Sequence, residues 1–285
     1  MKRLLVHLHL YYAAQCDYFV EKLQNISGCE WKLFVTMPVY YKKEAEILKN
    51  AHEQTEIIIT ENYGADIWPF IKLIQETDLN EYDYILKLHT KSYNPNGSRV
   101  NGIWYKGYEW RNAMVESYLK DDSTFLHAIR MLEESPKNGM VCNPLFYKVI
   151  SEGTPEDTIL LQKELKRLNL HVSNRHYCIG SIFLARSNAY KLLQTPLINV
   201  NLFKDKFISH KHGSKAHVYE RIISLVIYAS GMKIVCLKGH PLKTLYIKLI
   251  IEKIQPFMEK IFSIKRYGAE CRKIMTIFGI KIPLE

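Results

Sequence analysis

Glu56-Ile57-Ile58-Ile59-Thr60-Glu61-Asn62-Tyr63-Gly64-Ala65-Asp66-Ile67-Trp68-Pro69-Phe70-Ile71 is the stretch from which the fold can be read. Ile57 to Thr60 is a β-branched run that predicts a strand, and Gly64 allows the tight turn that follows. Ile67, Phe70, Ile71 and Ile74 then recur at helical spacing, so the spacing predicts a helix over 67–76. Upstream, the same alternation predicts strands at 4–11 and 31–37 and helices at 16–25 and 42–52; downstream it predicts a strand at 82–88. Strands alternating with helices of this length imply an α/β fold: a single Rossmann-like domain with a mostly parallel sheet and helices on both faces. Such sheets hold ligands beyond the carboxyl ends of their strands. The segments to inspect are therefore 11–12, 37–38, 61–66 and 89–92.

Beyond residue 93 the pattern loosens. Residues 94–107, rich in Asn, Gly and Ser, read as a mobile loop before a helix at 110–119. A short strand is expected at 140–143, a charged helix at 155–168, a continuous strand at 178–185 and a helix at 188–193. A further helix at 217–230 leads into a strand at 233–237. From Leu242 the sequence turns basic and amphipathic and reads as a helical tail interrupted by Pro256. The chain thus divides into a catalytic-type domain, 1–241, and a C-terminal appendage, 242–285.

The chain has 285 residues, 47% of them hydrophobic, enough for a sizeable core. Its formal charge of +10 is uneven. Residues 238–285 hold ten Lys/Arg against four Asp/Glu, +6, leaving +4 for the rest. That points to an anionic membrane surface and away from nucleic acid, because the charge lies in an apolar tail instead of a basic groove interleaved with aromatics. A second copy of the chain is an equally reasonable partner for the tail's apolar face. The six cysteines are scattered without a C-x-x-C pair, which excludes a zinc-ribbon spacing and fits reduced, buried thiols in the cytosol. The start, Met1 to His9, is interrupted by two histidines and lacks a cleavage site, so it reads as a strand, not a signal peptide. No stretch of about 18 apolar residues suits a bilayer crossing. A cytoplasmic protein, peripherally attached to the inner face of the membrane, is the expectation.

Candidate chemistry gathers at the strand ends. Asn62 and Asp66 flank a helix start that offers unpaired N–H groups and suits a nucleoside or sugar. Tyr11 ends the first strand and suits a base pocket. His89 and Lys91 end the strand at 82–88, where an Asp-x-Asp pair would grip a divalent ion bridging a diphosphate. With His and Lys there, no metal site and no cofactor are expected, and the cations themselves would offset diphosphate charge. Trp110 and Arg111 combine an aromatic face with fixed positive charge. Gly180 and Ser181 place small residues in a strand, a mark of close approach by a ligand. His217, Glu220 and Arg221 open a late helix; three residues apart, His217 and Glu220 fall on one side of it and suit a general-base pair.

In this order these segments resemble the rhamnan synthesis protein F family of polysaccharide glycosyltransferases. The resemblance rests on His7-Leu8-His9-Leu10-Tyr11-Tyr12, on Glu61-Asn62-x-Gly64-x-Asp66-Ile67-x-Pro69-Phe70, and on Tyr82 to Ser92. It continues through Trp110-Arg111, Gly180 to Arg186 and Gly213-x-x-Ala216-His217-x-x-Glu220-Arg221, covering about 6–235. The closing Phe278-Gly279-Ile280-Lys281-Ile282 looks like the tails of other capsule and lipopolysaccharide enzymes. The resemblance implies a glycosyltransferase A-like fold, a nucleoside-diphosphate sugar donor, often a rhamnose donor, and a saccharide or lipid-linked glycan acceptor. It implies Glu220 as the base of an inverting transfer, with His89, Lys91 and Arg111 on the leaving diphosphate. Family members tend to carry Gly-Thr-Met-Phe-Trp where this chain has Gly180-Ser181-Ile182-Phe183-Leu184, a departure that leaves the donor sugar open. The competing expectation is a non-catalytic sugar-nucleotide or polysaccharide-binding subunit of an assembly complex.

Overall fold

The computed structural model describes residues 1–150, 155–172, 174–204, 214–238, 241–246, 249–250, 254, 257–258, 261–267 and 272–284. Its first part repeats the alternation read from the sequence: β1 (Arg3–His9), α1 (Cys16–Leu23), β2 (Glu30–Met37), α2 (Lys42–Ala51), β3 (Thr55–Ile59), α3 (Ile67–Glu76) and β4 (Tyr84–His89). There follow β5 (Asn94–Val100), β6 (Ile103–Gly107), α4 (Glu109–Leu119), α5 (Asp122–Glu133), β7 (Asn138–Cys142), β8 (Tyr147–Val149), α6 (Pro155–Arg167), β9 (His176–Cys178) and β10 (Phe183–Arg186). A 3₁₀ stretch at Ser187–Leu193 and a shorter one at Val200–Phe203 precede α7 (Lys215–Ala229) and β11 (Lys233–Cys236).

The main sheet runs β11-β7-β10-β4-β1-β2-β3. Every pairing is parallel except the two made by β10, which lies antiparallel between β7 and β4. From Leu4 to His9 and from Tyr84 to His89 every residue is buried, because the central strands are covered on both faces. Three histidines sit in that interior, two of them on β1. His7 Nε2 and His9 Nδ1 both lie 2.9 Å from Thr36 Oγ1 on β2, so one hydroxyl serves two rings on the neighbouring strand. Among the described residues no helix is long and apolar enough to cross a membrane, and the described cysteines form no disulfide.

Three expectations need correction. Residues 94–107 are a hairpin, β5 with β6, closed by Asn101 and Gly102, both at positive φ (46° and 79°). Asn-Gly is the pair best suited to a type I′ hairpin turn, and it outweighs the polar composition around it. The continuous strand expected at 178–185 is two strands, since Gly180 (φ 81°) and Ser181 (φ 50°) reverse the chain between β9 and β10. The helical tail is helical only in part. After α8 (Pro241–Tyr246), an antiparallel sheet forms from β12 (Phe262–Tyr267), β13 (Arg272–Ile277) and β14 (Ile280–Leu284). Phe278 and Gly279, at φ 45° and 84°, close β13 on β14 as a second two-residue turn. Period-2 alternation in Phe262-Ser263-Ile264 and the β-branched Ile274, Thr276 and Ile277 favour strand over helix. The sequence pattern also gave no sign of α5, whose start is capped by Asp121 Oδ1 accepting from the Thr124 N–H at 2.8 Å.

Candidate active site

The parallel strands β1 and β4 end side by side, with His9 paired to His89, and open onto a crevice bordered by the β3–α3 turn and the β9–β10 turn. Asp66, the N-cap residue of α3, enters it from one side. Gly64 and Ala65 before it both take left-handed φ (64° and 53°), and a side chain at Gly64 would collide with Phe203. This turn is therefore fixed in shape and delivers the Asp66 carboxylate to the end of β4.

Lys87 Nζ at 2.5 Å and Ser181 Oγ at 2.6 Å donate to Asp66 Oδ2, and His89 Nδ1 lies 2.7 Å from the same oxygen. Lys87, at 0% exposure, also donates to the Ser181 carbonyl at 3.1 Å and lies over the Phe70 ring. Burial opposes ionisation of Asp66, but His89, Lys87 and Lys91 outweigh it and hold the carboxyl well below the usual carboxylate range. Burial pulls Lys87 down, against the pull of Asp66. It takes His89 to about 3, so the imidazole is neutral. The charge that the sequence shares between His89 and Lys91 therefore belongs to Lys91 in the folded chain.

The Lys91 ammonium sits 4.4 Å from the centre of the Trp110 ring and forms no ion pair among the described residues. Burial lowers it, while Asp66 and Glu220 raise it. Trp110 Nε1 is buried and unbonded among the described residues. Gln15, which no sequence motif marks, ties this corner together. Its Nε2 donates to the Lys91 carbonyl at 2.6 Å, and its Oε1 accepts from Arg111 Nη1 at 3.1 Å. Arg111 is buried, with its guanidinium 3.7 Å from the Tyr18 ring centre, 4.1 Å from that of Tyr108, and bonded to Asn112 Oδ1. Through Gln15 it braces the backbone of Lys91.

Glu220 comes from α7 on the far side, and its Oε1 accepts from the Gly180 N–H at 2.7 Å. The helix start is held by a buried group that sequence reasoning missed. Glu164 on α6 is 1% exposed and bonds Arg167 Nη2 at 2.5 Å, Tyr219 Oη at 2.9 Å and Lys215 Nζ. An isolated buried carboxylate is costly, so this clamp fixes the first turn of α7 and with it Glu220. His217 Nδ1 bonds Ser214 Oγ, the N-cap, at 2.8 Å. Arg221 bonds the His217 carbonyl and faces the Tyr177 ring. Tyr11 stands half-exposed at the end of β1, its ring edge-on to Tyr12, and the backbone N–H groups of both donate to Thr90 Oγ1 at 3.1 Å. Asn62 is exposed on the β3–α3 turn and makes no hydrogen bond among the described residues.

The structure thus gathers Asp66, His89, Lys91, Trp110, Gly180, Ser181 and Glu220 at the ends of β1 and β4, with Tyr11 at the end of β1 and Asn62 exposed on the β3–α3 turn. Lys87 joins them as the buried link. The result is one half-buried ionised carboxylate, one cation against an aromatic face and one further carboxylate on a fixed helix. Such a set can bind an anionic leaving group and receive a proton.

The chain matches the family model for rhamnan synthesis protein F over residues 1–232. It is 25% identical over 249 residues to the uncharacterized protein WxcX of Xanthomonas campestris pv. campestris strain B100, covering 80% of this chain and 32% of that protein. The counterpart from strain ATCC 33913 gives the same identity and coverage. The chain spans about a third of the length of these curated relatives. Among solved structures it is similar to Staphylococcus aureus TarS 1–349, at 11% identity and a TM-score of 0.43, covering 88% of this chain and 64% of that one. The same TarS fragment in complex with UDP gives 12% identity and a TM-score of 0.45, with the same coverage.

Proposed function

This chain belongs to the rhamnan synthesis protein F family, and from that premise we propose that it is a glycosyltransferase of cell-surface polysaccharide synthesis. In this reading it moves a sugar from a nucleoside-diphosphate donor to a growing saccharide or lipid-linked glycan. The observation that carries the reading is the convergence of Lys91 and Glu220 on one crevice at the carboxyl ends of β1 and β4.

Glu220 accepts the proton of the acceptor hydroxyl as its oxygen attacks the anomeric carbon. The bond from that carbon to the diphosphate oxygen breaks, and the nucleoside diphosphate leaves with the bonding pair. Lys91 stands where it offsets the departing charge, and Trp110 offers an aromatic face beside it. Asp66 is already committed to Lys87, His89 and Ser181, so it holds the β9–β10 turn against β4 and leaves transfer to the others. Attack from the face opposite the leaving group makes the transfer inverting. Where an Asp-x-Asp pair would hold a divalent ion, this chain offers a neutral His89 and the Lys91 ammonium, which supports transfer without a metal. The reading places the enzyme at the cytoplasmic face of the membrane, where lipid-linked glycans are extended.

The test is incubation of purified protein with a panel of nucleoside-diphosphate sugars, with EDTA and with Mg²⁺ or Mn²⁺. Release of nucleoside diphosphate from at least one donor in EDTA is the expected result. Donor binding without any release, in every condition, would favour a non-catalytic binding subunit.

A further inference from the structure

We infer that one face of the C-terminal three-stranded sheet is a docking surface for an anionic lipid bilayer. Directly paired residues share a face of a sheet, and residues two apart along a strand return to it. The register pairs Phe262 with Ile277 and Ile277 with Ile280. Two residues along, it pairs Ile264 with Met275 and Met275 with Ile282. Six apolar residues therefore stand in two rows on one face. Phe262, Ile264 and Ile280 are 57%, 55% and 67% exposed, and Phe278 at the β13–β14 turn is 79% exposed. The opposite face begins with the row Ser263, Thr276 and Lys281, of which Thr276 is buried. The sheet thus leaves apolar side chains of one face in water while Thr276 on the other is buried, an exposure water disfavours.

The occupant follows from charge. The segment from Lys238 onward carries +6 of the chain's +10. Two copies of this segment would bring like charges together at the edge of the contact. An anionic bilayer accepts the apolar rows at its acyl boundary and attracts the positive charge of the segment to its headgroups. Leu242, Leu245, Leu249 and Ile250, ahead of the sheet in the chain, are exposed as well. This surface is separate from the crevice and stands whether or not the transferase reading holds.

The experiment is co-sedimentation of the full chain with vesicles of pure phosphatidylcholine and with vesicles in which part of it is replaced by phosphatidylglycerol. Wild type should pellet with the anionic vesicles at low salt, be released at high salt, and stay largely in solution with the neutral ones. Ile264→Asp/Ile280→Asp should abolish pelleting, and Arg266→Glu/Lys273→Glu should weaken it roughly tenfold or more. Because β12–β14 could unfold in those variants, Phe278→Ala, at a turn tip that leaves the pairing intact, supplies a second reading and should lower binding several-fold. Anionic-vesicle binding unchanged in all three variants would overturn the inference. So would wild type that ignores vesicles but doubles its mass in sedimentation equilibrium, which would assign the face to a second copy.

Discussion

The backbone N–H of Gly180 donates to Glu220 Oε1 across 2.7 Å, joining the β9–β10 turn to a carboxylate forty residues further along the chain. The same turn carries Ser181, whose hydroxyl bonds Asp66, so one reversal of the chain sets both carboxylates of the crevice. Its shape depends on left-handed backbone at Gly180 and at Ser181, a conformation found where a site over-determines its own geometry.

Gly180→Ala should therefore reduce transfer more than its small size suggests. A Cβ at this position would meet Met114 Sδ at 2.5 Å and would sit at φ 81°, so the turn must shift and carry the Glu220 anchor with it. The strain costs about 1–3 kcal/mol, and the loss should appear in both thermal stability and kcat. An alanine variant with wild-type kcat would show that Glu220 is placed without the Gly180 bond.

Glu220→Gln should lower transfer by about 10²–10⁴-fold while donor binding and melting temperature stay close to wild type, because the amide keeps its acceptor oxygen for Gly180 and loses only the basic charge. Binding is read by nucleotide titration and rate by nucleoside-diphosphate release. Full activity in the amide variant would remove Glu220 from the proton-transfer role.

Why the sequence revealed Glu220 and Asp66 but not Lys87 is a matter of local against tertiary signals. Strand-helix alternation up to His89 is written in hydrophobic period, and the turns that follow those strands do carry the crevice residues. Lys87 lies in mid-strand, where a lysine next to Leu86 and Leu88 looks like one solvent-facing position. Only the antiparallel insertion of β10, which pairs Phe183 with Lys87, shows that it is buried and bonded to a residue 94 positions away. Gln15 and Glu164 were hidden for the same reason. The two hairpins differ: Asn101-Gly102 is a readable turn signal, masked because the Asn, Gly and Ser around it suggest a loop. Phe278-Gly279 is a weaker one, and the basic, apolar run before it favours a helix until register is known.

Lys91→Ala should weaken nucleoside-diphosphate binding by about 1.5–3 kcal/mol, the range for a charge-assisted hydrogen bond. Lys91 has an aromatic face beneath it and no carboxylate within ion-pair distance among the described residues, so removing it leaves no partner stranded and stability should barely change. Calorimetric titration of nucleoside diphosphate against both proteins checks this. Equal affinity would place Lys91 outside the diphosphate site.

Lys87→Met should instead act on stability, by about 3–5 kcal/mol, because it removes the fully buried cation bonded to Asp66 and leaves that half-buried carboxylate without its ion-pair partner. Adding Asp66→Asn to that variant should recover part of the loss, since the uncompensated charge is gone. Urea unfolding of the two singles and the double closes the cycle. Additive losses would mean that the Lys87–Asp66 pair carries no coupling.

The three buried imidazoles give the pH prediction. Burial holds His89 at about 3 and His9 at about 4, and pulls His7 well below 6.5. In the unfolded chain all three titrate near 6.5. Above that pH neither state binds the protons, and these groups add no pH dependence. As the pH falls below 6.5 the unfolded chain takes up protons that the native interior refuses, so stability is lost progressively down to the folded values. Each histidine contributes up to about 1.4 kcal/mol per pH unit in that window. Asp66 adds to the loss only lower down, where pH falls below its unfolded value near 3.8 towards its depressed folded one. Urea midpoints should therefore be level between pH 8 and 7 and fall steeply between pH 6 and 5, before carboxylates titrate. His9→Asn should flatten the slope by about a third, since one of three proton-refusing sites is gone. A midpoint that stays constant from pH 7 to 5 would mean that these rings accept protons in the folded state, and with that His89 would regain the positive charge assigned above to Lys91 alone.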